Sequence, residues 1–111
     1  MPSLNIFTTQ DKVKPLENIL PNLRAHIAGI LSCGERKLHP AEMSLRIIVP
    51  SASMQIADTE LEIKAHAYAP RVQRQDEICR SIRDYVTSNC PQAGSVYVWL
   101  QLSELGHSAD E

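Results

Sequence analysis

The chain has 111 residues, enough for one domain that buries a core without disulfide or metal staples. Its formal net charge is −2, with 43% apolar and 22% charged residues. That balance argues against a general nucleic-acid binder, which carries a basic stripe. No apolar run approaches the ~20 residues a membrane helix needs, and no secretory signal opens the chain, so a cytoplasmic protein is expected.

In chain order, "SLNIF" (3–7) alternates and reads as a strand. The stretch "KPLENILPNLRAHIAGILSCG" then spaces Leu16, Ile19, Leu20, Leu23, Ile27, Ile30 and Leu31 by threes and fours, the stripe of an amphipathic helix. Pro15 suits its first turn and Gly34 its C-terminal cap, whereas Pro21 predicts a kink or a delayed start. "MSLRIIV" (43–49) is rich in β-branched residues and reads as a buried strand ended by Pro50. After "PSASMQIADT" the pattern recurs. "ELEIKAHAY" (60–68) alternates, and Pro70 opens a helix with the face Val72, Ile78, Cys79, Ile82, Tyr85 and Val86. "SVYVWLQL" (95–102) is the last strand.

The chain is therefore an α/β (α+β) single domain, 1–111, built from two βαβ halves at about 2–50 and 58–102, with a polar tail at 103–111. Each half allows a parallel pair with a helical crossover. Side by side they predict a four-stranded mixed sheet with both helices on one face. Leu4, Ile6, Ile47 or Ile48, and Val96 or Val98 cannot all be expected to meet those helices. The surplus predicts an apolar outer face and an oligomer that covers it. Met54 to Ile56 read either as an edge strand for a neighbouring subunit or as a surface loop.

Cys33, Cys79 and Cys90 have neither paired nor C-x-x-C spacing and read as free thiols in a reducing compartment. His26, His39, His66 and His107 show no partner spacing and read as structural or exposed. Arg46 could pair across strands with Glu60 or Glu62. Arg71 and Arg74 read as solvated charges at an exposed helix start.

The initial Met-Pro, the two βαβ halves and the length together resemble the tautomerase superfamily, which includes oxalocrotonate tautomerase, carboxymethyl-hydroxymuconate isomerase and macrophage migration inhibitory factor. Locally, "SLRIIVPSASMQIAD" is similar to the isomerase's Arg-bearing strand and following turn, and "SVYVWLQ" to the last strand of the inhibitory factor. The resemblance implies a homotrimer with active sites at subunit boundaries, a small carboxylate-bearing substrate, and no metal or organic cofactor. Charge and hydropathy give the expectation of no nucleic-acid and no membrane partner.

The resemblance also implies roles. Removal of Met1 would free Pro2 as a secondary amine, the general base or acid of a keto–enol proton transfer; with Met1 retained, Pro2 is an inert amide. Arg71 matches a substrate-binding arginine of the isomerase. Arg46 lies two residues beyond another, whose place Ser44 takes. Arg36 and Lys37 stand where the inhibitory factor has a lysine at its site. Tyr97 matches its pocket tyrosine, and Trp99 replaces its asparagine. Phe7, Ile48, Tyr97 and Trp99 are candidates for an apolar wall that, with the arginines, disfavours a charged amine. Dehalogenase- or decarboxylase-type chemistry in the same pocket, or a non-catalytic trimeric binding or signalling module, are the competing readings.

Overall fold

The computed structural model describes residues 2–32 and 37–104. β1 (Ser3–Phe7) buries Leu4 and Ile6 completely while its other residues stay partly exposed, the alternation of a strand covered on one face. α1 (Val13–Leu31) buries Leu16, Leu23, Ile27, Ala28 and Leu31 on a single stripe. It starts well upstream of Pro21 and runs through it. The helix tolerates the proline because Pro21 and Glu17, whose carbonyl loses that partner, are both exposed to water. Ser32 ends the helix in extended conformation, its hydroxyl bonding the Ala28 carbonyl at 2.8 Å. The glycine cap expected at Gly34 lies outside the described residues, as do Cys33, Arg36 and His107.

The remaining elements are β2 (Ser44–Ile48), β3 (Thr59–His66), α2 (Ala69–Gln73), α3 (Gln75–Asn89) and β4 (Val96–Ser103). Sheet order is β2-β1-β3-β4. β1 and β2 pair in parallel, as do β3 and β4, and the halves join through antiparallel β1 and β3. This is the mixed sheet expected of two βαβ units. Leu4, Ile6, Leu61 and Ile63 pack with Leu16, Leu23 and Ile27 of α1 and Ile78, Ile82 and Val86 of α3 in one core. Among the described residues, no helix is long and apolar enough to cross a membrane.

Several details differ from the sequence reading. β2 is a half-exposed edge strand rather than a buried one, because a β-branched run does not reveal how many neighbours a strand has. The second helix breaks at Arg74 into α2 and α3. Within α2, Arg71 is buried and Val72 exposed, the reverse of the expected face. Tyr68 caps α2 instead of ending β3.

The outer face of the sheet also differs. Leu4, Ile6, Leu45, Ile47, Val96 and Val98 all belong to the helix-covered core. The opposite positions carry Phe7, Ile48, Tyr97 and Trp99 among polar residues, in register as Phe7 with Ile48 and Glu60, then Glu60 with Tyr97. Trp99 is 55% exposed. Residues 53–55 form an irregular loop in this chain. The Glu60 carboxylate accepts the amides of Ile56 and Ala57 at 2.7 and 3.3 Å, and Met54 and Ile56 point into solvent.

The turn into β4 depends on Gly94, whose φ of 74° and ψ of −144° lie in a region L residues avoid. A Cβ there would meet the Asp58 carboxylate. That carboxylate accepts the Ser95 amide at 3.0 Å, a bond that holds its pKa below the usual carboxylate value. Gly94→Ala is therefore expected to destabilise the fold by about 1–3 kcal/mol from the backbone alone. A thermal melt checks this, and an unchanged Tm would contradict it.

Candidate active site

Pro2 stands just before β1, buried, with its carbonyl accepting the Ser44 amide of β2 at 3.4 Å. Beside it opens a cavity of about 280 Å³ lined by Pro2, Lys37, Leu38, Glu42, His66, Tyr68 and Arg71. This is at the small end of ligand pockets, which run from ~300 to 1,000 Å³. Sheet register explains the assembly. Ser3 pairs with Lys64 in antiparallel sense, so the chain ahead of Ser3 runs beside the residues that follow Lys64. The end of β3 and the start of α2 thereby meet the start of β1.

Arg71 organises the far wall. It is only 5% exposed. Its Nε donates to the Leu31 carbonyl at the end of α1, and its Nη1 to the His66 carbonyl at the end of β3, both at 2.8 Å. Its guanidinium carbon lies 4.9 Å from the centre of the Tyr68 ring, within reach of a cation–π contact. The Leu31 contact also places a positive charge at the negative end of α1. Nη2 has no partner among the described residues, and no described buried side-chain nitrogen or oxygen lacks one, so Nη2 is reached by solvent. This arginine is a buried tie between three elements with part of its fork left over, not a solvated charge.

The other wall comes from the segment before β2. His39 caps a short 3₁₀ turn, its Nδ1 accepting the Ala41 amide at 3.1 Å, while its own amide donates to Glu42 Oε1 at 3.0 Å. Leu38 is anchored by the hydrogen bond its backbone N–H donates to the Ser32 hydroxyl at 2.9 Å. Lys37 and Arg71 against Glu42 leave the cavity with an excess of one positive charge, suited to an anion.

The structure thus brings together three residues singled out from the sequence, Pro2, Arg71 and Lys37. Arg36 itself lies outside the described residues. Arg46 is exposed and does not line the cavity. It donates to Asn5 Oδ1 at 3.4 Å, and Asn5 donates to Glu62 at 3.2 Å, so the expected pairing with Glu62 runs through Asn5 rather than directly. Tyr97 lies near the opposite end of the sheet from Pro2, in a separate hollow with Phe7, Ile56, Glu60, Glu62 and Trp99. Within one chain, none of the four residues expected to wall the amine reaches it; Leu38 and Tyr68 do so instead.

His66, Tyr68 and Glu42 were not foreseen. "HAYAPR" carries the signal in hindsight: a strand end running into a proline-started helix puts three side chains at one corner. The thiols lie elsewhere. Cys90 is buried, and Cys79 is partly buried by a third hollow, where burial followed by the Asp76 charge pushes its thiol up, away from nucleophile character. Among the described residues no three His, Cys, Asp or Glu side chains gather as a metal site would require.

No family model matches the sequence, and no curated protein does. Solved structures do match over nearly the whole chain. A protein of unknown function from Vibrio cholerae O1 biovar eltor is similar with a TM-score of 0.67 at 16% identity, covering 98% of this chain and 84% of that one. A 5-carboxymethyl-2-hydroxymuconate delta-isomerase is similar at 0.65 and 14%, covering 100% and 88%. A macrophage migration inhibitory factor-like protein from Entamoeba histolytica is similar at 0.63 and 8%, covering 96% and 95%. The chain shares its fold with these three structures.

Proposed function

We propose that this protein is a cofactor-independent tautomerase or isomerase that moves a proton on a small keto or enol acid. The observation that carries the reading is the meeting of Pro2 and Arg71 on one small, positively charged cavity. In this reading Met1 is removed and the freed Pro2 nitrogen takes and returns the proton. The unengaged part of Arg71 and the ammonium of Lys37 hold the substrate carboxylate by charge-assisted hydrogen bonds. The same cations disfavour a protonated Pro2 and keep it available as a base.

Tyr97 and Trp99 enter this reading from a neighbouring subunit, because they cannot reach Pro2 of their own chain. A homotrimer would bury them with Phe7, Ile48, Met54 and Ile56. Sedimentation is expected to give a trimer at micromolar concentration; a stable monomer would remove Tyr97 from the site. The function itself is tested by mass and rate together. Protein whose mass begins at Pro2 is expected to turn over phenylpyruvate or a related keto acid above the buffer rate. Correctly processed protein that turns over no member of a keto-acid series would overturn the reading.

A further inference from the structure

Proton transfer between carbon and oxygen needs a group at each end, and Pro2 serves one. We propose that His66 is the second catalytic residue, exchanging the proton at the substrate oxygen; this role rests on the tautomerase reading above. His66 lines the same cavity as Pro2. Its main chain is fixed by the Arg71 Nη1 bond at 2.8 Å, and its ring packs against Tyr68 with centroids 4.6 Å apart and planes 56° from parallel. Neither ring nitrogen has a hydrogen-bond partner among the described residues. An imidazole packed on Tyr68, on a residue whose carbonyl is tied to Arg71 and whose ring nitrogens have no partner among the described residues, is available to a ligand in that cavity.

The other ionisable groups facing it are less suited. Glu42 commits one oxygen to the His39 amide. Arg71 cannot release a proton and is tied to two carbonyls. Lys37 is exposed on a loop. Tyr68 supplies its ring as a surface for both Arg71 and His66.

In the keto-to-enol direction the neutral Pro2 nitrogen takes the proton from the carbon next to the carbonyl. The C–H electron pair becomes the new C=C bond. The carbonyl π pair takes the proton that a ring N–H of His66 gives up, forming the enol O–H. Pro2 leaves as the protonated amine and His66 one proton short, and water returns the proton from one to the other. No oxidant, reductant or second substrate is needed.

Four proteins test this: wild type, Pro2→Ala, His66→Gln and His66→Ala, assayed with phenylpyruvate at saturating and limiting concentration. His66→Gln is expected to lose kcat by about 10²-fold or more with KM and Tm nearly unchanged. Added imidazole is expected to restore part of the rate of His66→Ala, a rescue that a packing role does not give. Wild-type kcat in His66→Gln, while Pro2→Ala is inactive, overturns the role of His66 and leaves the proline reading standing. A loss in His66→Ala that imidazole does not touch, accompanied by a lower Tm, assigns His66 to structure and overturns the role too. No turnover by the wild type overturns both readings together.

Discussion

Pro2→Ala is expected to lower kcat/KM for an α-keto acid by roughly 10²–10⁴-fold, the usual contribution of a positioned general base. Pro2 is buried at the mouth of β1 and borders the cavity that Arg71 closes. In the proposed reading, with Met1 removed, the ring fixes the direction of a secondary amine that meets the reacting carbon of a substrate gripped by Arg71. Alanine keeps an amine but makes it primary and free to rotate. The backbone bond from the Ser44 amide to the residue-2 carbonyl does not need the ring. Thermal stability should therefore change little. A rate assay beside a thermal melt separates the two effects: full activity in Pro2→Ala would remove the proline from the mechanism.

The second large effect is expected at Arg71, and it has two parts. Hydrogen bonds from a charged donor contribute ~1.5–3 kcal/mol each, and Arg71 makes two of them to carbonyls inside the protein. Arg71→Ala strands those carbonyls and removes the cation lying on Tyr68. A loss on the order of 3–5 kcal/mol is expected, large against a total stability of ~5–15 kcal/mol. The corresponding fall in Tm is on the order of 15 °C. The other part is catalytic: loss of a charge-assisted contact to the substrate carboxylate lowers kcat/KM by roughly ten- to a hundred-fold. Comparing a keto acid with its methyl ester separates the parts. If Arg71 reads the carboxylate, the variant loses far more on the acid than on the ester. Equal losses on both would make Arg71 a structural tie alone.

The same residue shows what the sequence could and could not convey. Strand and helix periodicities located all four strands and both crossovers, because the core stripe and the strand alternation are written in residue spacing. Pro2 was legible as standing at the mouth of the first strand, and it is buried just before β1. Arg71 was legible as a candidate but not as a buried one. Its burial depends on two carbonyls, Leu31 and His66, one of them 40 positions away. No local pattern encodes that. His66 and Glu42 were invisible, because a strand end and a short capped turn become neighbours of Pro2 only through antiparallel pairing of the two halves. Conversely, Phe7, Ile48, Tyr97 and Trp99 suggested a pocket wall by their apolar character. The pleat sends them to the outer face, away from Pro2 of the same chain.

The central claim is that chemistry passes through the Pro2 nitrogen, and that nitrogen is an amine only when Met1 is gone. Two preparations of the same chain, one beginning at Pro2 and one retaining Met1, differ at that atom and keep every other side chain of the cavity. Their initial rates with phenylpyruvate, measured side by side after mass spectrometry has verified each N-terminus, are the direct test. The account predicts turnover by the Pro2 form and a background rate for the Met1 form. Equal turnover by both would contradict it.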